Sequence, residues 1–512
     1  LYDSKVVAMA KVPTNHAELF TSTWQALNEV LLSYGGQDPL RLHLSTTLST
    51  NAIVEDRGVP TQVVAVPGPG VNLETLNFPF TVHELTGYID HRGREVSPLV
   101  EEQVQSLSQV LGSGQGEAVG IVGKFSQRNP SQENKLASVL KKWYQGTISL
   151  GHRLSGKANF PRRIVTTYLN ASVAQHQLDF LQMWEEVLEK LEIPLQNLVI
   201  LKADGGTMTL TESAERPIET ILSGPAASIM GVQALTKRTE ENYLMLDIGG
   251  TTTDIAAVVD GQVLFERDGA VISGYKTLVP AVLTRSIGLG GDSEIRYDHK
   301  DGIIIGPKRA GVAMCLGGNR LTPTDAAVAL GLADLGSRGL ATAALELWGK
   351  ELGFSPDELA QKIIDAFVSR LCSEVEAFYQ ELENMPLYTV REVLNPPELR
   401  PQAVVGLGAP APVFIPRLGA ALDLPHEVLP YSGGANAIGA AASQLTFGLT
   451  LHVDTALATA TISEVGYHAE IQRPLFFDLK KARQLAEEKT KEYAQRMDYN
   501  HTDQIYIVEE ES

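Results

Sequence analysis

Apolar and polar positions along this chain follow two periods, and the two alternate. Short runs at Lys5 to Lys11, Arg41 to Leu44, Gln62 to Val66 and Val119 to Val122 have the length and β-branched content of strands. Between them, His16 to Leu32 and Asn134 to Tyr144 repeat apolar residues every three or four positions, as an amphipathic helix requires. The same spacing runs from Arg163 to Leu191 without Gly or Pro and predicts one long helix, expected to cross between domains. Farther on, Leu198 to Lys202 and Tyr243 to Asp247 read as buried strands that end at Asp204-Gly205-Gly206 and Gly249-Gly250, and Ala403 to Gly408 as a strand running into a turn and a helix. Helix starts are marked at Thr322-Pro323-Thr324-Asp325 and Ser355-Pro356-Asp357-Glu358, where a hydroxyl can cap, proline suits the first turn and the acid can complete a capping box. Strands and helices that alternate in this way predict an α/β fold.

A length of 512 residues exceeds what one hydrophobic core usually supports, so two or more domains are expected, and the lack of a low-complexity linker predicts a broad interface. With 44% hydrophobic and 20% charged residues the composition is that of a globular protein. The net charge of −19, with no long basic run, argues against nucleic acid or an anionic membrane as partner. Apolar runs break off before the length of a membrane span, and no basic-then-apolar leader opens the sequence. Two cysteines, Cys315 and Cys372, make no disulfide framework and fit a reducing cytoplasm.

The densest chemistry lies at Asp247-Ile248-Gly249-Gly250-Thr251-Thr252-Thr253-Asp254. A strand runs into two glycines and three threonines, resumes at Ile255 to Val259, turns at Asp260-Gly261 and continues as Gln262 to Phe265, which describes a hairpin with a small-residue tip. Gly249 and Gly250 let backbone N–H groups approach a phosphate, the hydroxyls of Thr251, Thr252 and Thr253 add donors, and Asp247 and Asp254 can hold a hydrated magnesium ion. The plainer reading is a tight hairpin whose polar residues serve only the turn. No Gly-x-x-x-x-Gly-Lys-Ser/Thr stretch occurs, so a Walker-type site is not supported. His83, His91, His152 and His176 lack zinc-site spacing and read as surface or core residues, Glu487 to Glu492 as a solvated helix face, and Cys315 as a buried thiol with a nucleophilic role left open.

The hairpin resembles a phosphate loop of the sugar kinase, Hsp70 and actin superfamily, and more closely that of the hydantoinase A and 5-oxoprolinase family, which includes an acetone carboxylase subunit. Other segments resemble that family in order. Ser45-Thr46-Thr47-Leu48-Ser49-Thr50-Asn51-Ala52 is similar to its Gly-Thr-Thr-x-x-Thr-Asn-Ala element, with Ser45 in place of glycine, Leu44 in place of histidine and His43 one position early. Thr166 to Ala171, Asp204 to Met208 and Ser223-Gly224-Pro225-Ala226 follow, and amides at Gly224 can face an anion or simply open a capped helix. Ser286 to Ser293 resembles a glycine-rich turn, with Asp292 where hydantoinases often carry another glycine. Gly406, Gly408 and Ala409 resemble the superfamily's adenosine-side turn, where the backbone can lie against purine and ribose, or form a plain strand-to-helix connection.

The resemblance implies two related actin-like, ribonuclease H-like ATPase domains around a nucleotide cleft. The first is expected over 1–165, without its N-terminal phosphate hairpin, the second over 166–445, with 446–512 packing on the first; residues preceding Leu1 would supply the missing hairpin. It further implies ATP and Mg2+ as cofactors, with Asp247 and Asp254 as metal-holding and catalytic groups, in a subunit that phosphorylates a cyclic amide carbonyl before ring-opening hydrolysis. A ketone substrate, as in acetone carboxylase, and an actin- or Hsp70-like nucleotide switch are the alternatives. A second, hydantoinase B-like subunit is the expected partner, because the chain shows no recognisable Ser-His-Asp or Cys-His hydrolytic set.

Overall fold

The computed structural model describes residues 1, 5–12, 19–35, 41–238, 241–266, 268–300, 302–385, 398–497 and 505. They form two compact units that interleave along the chain. One comprises residues 1–11, 225–265 and 282–442, and the other residues 12–224, 266–281 and 443–512. No helix among the described residues is long and apolar enough to cross a membrane.

The first unit is built on one sheet. Strands Tyr243–Ile248, Thr253–Val259 and Gln262–Val263 follow each other antiparallel. The turn between the last two is Asp260-Gly261, where both residues have positive φ, 50° and 71°, as a tight two-residue hairpin demands. Strand Ala403–Leu407 then pairs parallel with Tyr243–Ile248, and His426–Val428 parallel with Ala403–Leu407. Strand Thr284–Ile287 also pairs antiparallel with Thr253–Val259, and the five strands without it, numbered along the chain, have the order 3-2-1-4-5, which is the ribonuclease H-like order of actin-like ATPase domains. Residues on the two strand faces alternate between two cores. Leu244, Leu246, Ile248, Ile255 and Ala257 face the larger core with helix Pro356–Glu383, whereas Tyr243, Met245, Ala256 and Val258 face a smaller one with Ala226, Ile229 and Val232 of helix Ser223–Leu235.

The second unit carries a four-stranded, all-parallel sheet ordered Val82–Glu84, Thr61–Val66, Ala118–Gly123, Thr147–Leu150. A three-stranded sheet joins Leu42–Leu44, Leu198–Leu201 and Thr207–Thr209. Helix Phe160–Lys190 buries Ile164, Val165, Leu169 and Trp184 within this unit and does not cross to another. The expected division near residue 165 therefore moves to 224–225. The physical reason is long-range pairing: Leu42–Leu44 needs Leu198–Leu201 as its parallel neighbour, which ties residues 166–224 to the N-terminal part. Segment 443–512 joins the same unit through a bridge between Thr207 and Leu445 and a bidentate Arg92–Asp454 pair.

Most elements fall where the pattern puts them, including both marked helix starts, whose capping boxes at Thr322 and Ser355 are formed. The helix expected over Asn134 to Tyr144 is Ser131–Leu140, ending in tight turns onto the Leu140 carbonyl. Residues 6–11 keep the strand's alternation of exposure but lie in no strand, because no neighbouring edge among the described residues meets their backbone groups. Thr14 and part of His16 to Leu32 lie outside the described residues; the described helix there is Leu19–Tyr34.

Gly406 sits inside strand Ala403–Leu407 with Ile415 of helix Ala411–Leu422 directly over its Cα, so that a Cβ would overlap the isoleucine. Gly406→Ala is expected to destabilise the protein by about 1–3 kcal/mol, the usual cost of overpacking. Urea unfolding checks this, and an unchanged midpoint would show that Ile415 moves aside freely.

Candidate functional site

Asp247 and Asp254 are direct cross-strand partners, so both carboxylates leave the sheet on the same face, near the end of the hairpin. That face is otherwise apolar, continuing Tyr243, Met245, Ala256 and Val258, and half-buries the two acids. Burial pushes the Asp247 carboxyl above its ordinary range, against a hydrogen bond from Ser228, whose Oγ lies 2.5 Å from Asp247 Oδ2. Asp254 is raised for the same reason, against a hydrogen bond with Ser286, and the charge of Asp247 adds to the shift. Among the described residues no cation contributes to either. Asn436 holds Ser228 from the other side, at 2.6 Å.

Beyond these acids the chain turns at Gly249 to Thr252, closed by Gly249 N–H donating to the Thr252 carbonyl at 2.9 Å. A second glycine segment lies against it. Gly291 N–H donates to the Gly249 carbonyl at 3.0 Å and Asp292 N–H to the Gly250 carbonyl at 2.7 Å. Gly290 allows this approach, since a Cβ there would stand 2.5 Å from the Gly250 backbone. Gly408, with φ 96°, brings a third segment in, its Cα against the Ile248 carbonyl and a Cβ position 3.0 Å from Asp247 Oδ1. With the Gly249 and Gly250 carbonyls engaged, Gly250 and Thr251 keep backbone N–H groups that meet no acceptor among the described residues. Such amides beside hydroxyls form an anion-receptive turn.

The predicted residues divide as follows. Gly249, Gly250, Thr251, Thr252, Asp247, Asp254, Gly408 and Ala409 gather around the hairpin end, with the side chains of Thr251 and Thr252 exposed. Thr253 is fully buried and its hydroxyl donates to the Leu289 carbonyl at 2.6 Å, which makes it a brace between the two glycine segments. Gly406 lies beneath Ile415, where packing, not a ligand, accounts for the glycine. Gly224 belongs to the other unit. Sequence reasoning missed Ser228, Asn436, Arg309 and Thr324, which reach the site only through the fold. Thr324 Oγ1 donates to the Gly291 carbonyl at 2.8 Å, and Arg309 pairs with Asp292.

Among the described residues no cluster of three or more His, Cys, Asp or Glu could by itself hold a metal. Two carboxylates without a protein counter-cation suit magnesium, which is commonly held by one or two acids with water and phosphate oxygens completing its shell. Cys315 is buried, and burial together with the Asp325 charge pushes its thiol up to about 12, which leaves it no nucleophile at neutral pH. His152 is locked to Glu133 inside the second unit, His83 bonds Gln62 and His176 the Arg57 carbonyl, while His91 is exposed. A cavity of about 690 Å³ lies elsewhere in the first unit, lined by Ile303, Ile304, Phe354 and Arg370, and includes no hairpin residue.

Comparison with known families fits this arrangement. Residues 163–448 match the hydantoinase/oxoprolinase family and residues 1–144 match the hydantoinase/oxoprolinase N-terminal region. The chain belongs to the hydantoinase/oxoprolinase family. Among its curated relatives, the caprolactamase subunit alpha of Pseudomonas jessenii is 27% identical over 318 residues, covering 56% of this chain and 45% of the relative. The acetophenone carboxylase gamma subunit of Aromatoleum aromaticum is 28% identical over 330 residues, covering 60% and 44%. The aligned regions thus span less than half the length of these relatives. The solved ATP-dependent caprolactamase from Pseudomonas jessenii shares the fold, with a TM-score of 0.71 at 22% identity over 95% of this chain and 72% of that one. Nucleotide-free acetone carboxylase shares it with a TM-score of 0.67 at 17% identity and the same coverage.

The raised Asp254 carboxyl gives a stability test. Its proton is held more tightly in the folded than in the unfolded state, so the folded protein loses stability as pH rises from the ordinary carboxylate range through the raised value. Without magnesium or nucleotide, Asp254→Asn is expected to melt no lower than wild type near pH ~7, with the variant's advantage shrinking toward pH ~4, where the carboxylate protonates anyway. Scanning calorimetry across this range checks it, and a lower melting temperature at neutral pH would mean that the fold itself depends on the charge.

Proposed function

We propose that this chain is the ATP-using part of an ATP-dependent amide hydrolase acting on cyclic amides. The observation that carries the reading is the Asp247–Asp254 pair, set across a glycine turn with free N–H groups in a ribonuclease H-like sheet of a hydantoinase/oxoprolinase member. The ATP dependence of the caprolactamase and of acetone carboxylase, whose fold it shares, supports nucleotide use.

In this reading the amides of Gly250 and Thr251 and the hydroxyls of Thr251 and Thr252 bind the terminal phosphates, and the turn at Gly408 and Ala409 borders the nucleoside. Asp247 and Asp254 would hold magnesium, which would supply positive charge against the phosphates. Ser228 orients Asp247 by its hydrogen bond, leaving one carboxylate oxygen for the ion's water shell. The lactam oxygen forms a bond to the γ-phosphorus as ADP departs. Water then adds to the activated carbon, the ring C–N bond breaks with a proton passing to nitrogen, and the acyl phosphate is hydrolysed to carboxylate and phosphate. The relatives named as alpha and gamma subunits support a second subunit that carries out the hydrolytic steps. The protein is expected in the cytoplasm. A ketone in place of the lactam is the second reading, favoured by the 28% identity to the acetophenone carboxylase subunit.

The full-length protein with its partner subunit is expected to hydrolyse ATP faster when a lactam, hydantoin or 5-oxoproline is added. Asp247→Asn is expected to lower that turnover by about 100-fold or more, the scale of losing a charged ligand to a catalytic ion. Stimulation by acetone or acetophenone with bicarbonate would select the ketone reading, and stimulation by a partner protein alone would replace the enzyme with a nucleotide switch.

A further inference from the structure

The hairpin end carries a third carboxylate that the proposed chemistry does not use. Asp292 is fixed there by its backbone in both directions, its N–H donating to the Gly250 carbonyl at 2.7 Å and its own carbonyl accepting from Ala310 N–H at 2.8 Å. Its side chain lies over the turn, with Oδ2 2.8 Å from where a Cβ of Gly250 would be. A bare carboxylate in this position opposes any anion that approaches the Gly250 and Thr251 amides, and the two backbone bonds keep its Cα beside the turn. Arg309, the last residue of strand Gly302–Arg309, meets it, with Nη2 3.0 Å from Oδ2. Glu294, two residues along the chain, pairs instead with Arg320 at 3.0 Å. Arg309 is thus committed to Asp292.

We propose that Arg309 is a positioning residue of the nucleotide site, which keeps the glycine turn receptive to a polyphosphate by neutralising Asp292. This rests on the reading that the turn binds ATP. The arrangement explains why a half-exposed arginine is held on a carboxylate at a turn meant for anions. A surface ion pair of this kind adds little to folding, so its consequence falls on the charge of the site.

The test is a double-mutant cycle in the full-length protein, with calorimetric binding of a magnesium complex of a non-hydrolysable ATP analogue and, separately, of uncharged adenosine. Arg309→Ala is expected to weaken the analogue about tenfold or more, since it leaves a like charge beside the phosphate. Adenosine affinity and melting temperature are expected to stay at wild-type values. Asp292→Asn removes the charge and leaves the backbone bonds, so Arg309→Ala added to it is expected to cost less than about threefold. The same tenfold loss in the Asp292→Asn background would make Arg309 a direct phosphate ligand and overturn the proposal. Equal losses for adenosine and the analogue would make the pair a structural brace and overturn it as well, as would unchanged binding in Arg309→Ala. Wild-type protein that binds adenosine and the analogue equally weakly would instead remove the nucleotide reading, and this inference with it.

Discussion

Two acids are held face to face on a sheet whose register gives them no choice. Because Asp247 pairs with Asp254 in an antiparallel ladder, shifting either strand by one residue would send its carboxylate into the core packed by Leu246, Ile248 and Ile255. The apolar residues that surround the pair therefore fix the register as firmly as any hydrogen bond. Mutual repulsion and lost hydration are tolerated because the same strands bury several large side chains on each face, which outweighs two partly buried charges.

The glycines follow from that placement. Once the carboxylates are set, any segment that completes the site must come within van der Waals reach of the turn backbone, and two do so at residues without a side chain, Gly290 and Gly408. Gly250 and Gly290 let two turns touch, Gly291 passes beneath the Thr324 hydroxyl, and Gly408 lies against the Ile248 carbonyl at a φ that other residues rarely adopt. Thr253 and Thr324 then bolt the segments together by donating to the carbonyls of Leu289 and Gly291. The result is a backbone cradle in which the carbonyls of Gly249, Gly250 and Thr252 are engaged and the amides of Gly250 and Thr251 meet no acceptor among the described residues.

Much of this was legible in the sequence, for definite reasons. Alternation located the strands, and the capping boxes at Thr322 and Ser355 marked helix starts because their hydrogen bonds are local. The hairpin could be read because its partners, from Ile248↔Thr253 out to Tyr243↔Val258, lie close to each other in the chain. What escaped was long-range. Nothing near Leu42 announces that it pairs with Leu198, and so the unit boundary was misplaced by some sixty residues. Nothing near Ser228 or Asn436 points to Asp247, since a serine inside a helix usually serves that helix alone. Gly406 misled for the opposite reason: a glycine that makes room for an isoleucine has the same signature as one that makes room for a ligand.

The treatment of buried charge separates the two units. In the second, Glu133 is fully buried, yet its carboxyl is held below the ordinary range, because His152 and Arg163 overcome the cost of burial and Ser126 adds a hydrogen bond. Lys202 sits between Asp204 and Glu219, and Arg216 between Glu212 and Glu219. Glu464 is raised by burial, but its own backbone N–H, the Thr450 hydroxyl and N–H, and Arg216 oppose the shift. There the protein supplies its own counter-charges, as a fold must where ionic groups serve only structure. Among the described residues Asp247 and Asp254 receive hydroxyl hydrogen bonds and no cation, and Asp325, buried in the same unit, is likewise held by backbone N–H groups and the Thr322 hydroxyl. Where two such carboxylates face each other without a cation, a positive charge from outside would relieve both burial and repulsion, as the proposed magnesium would supply.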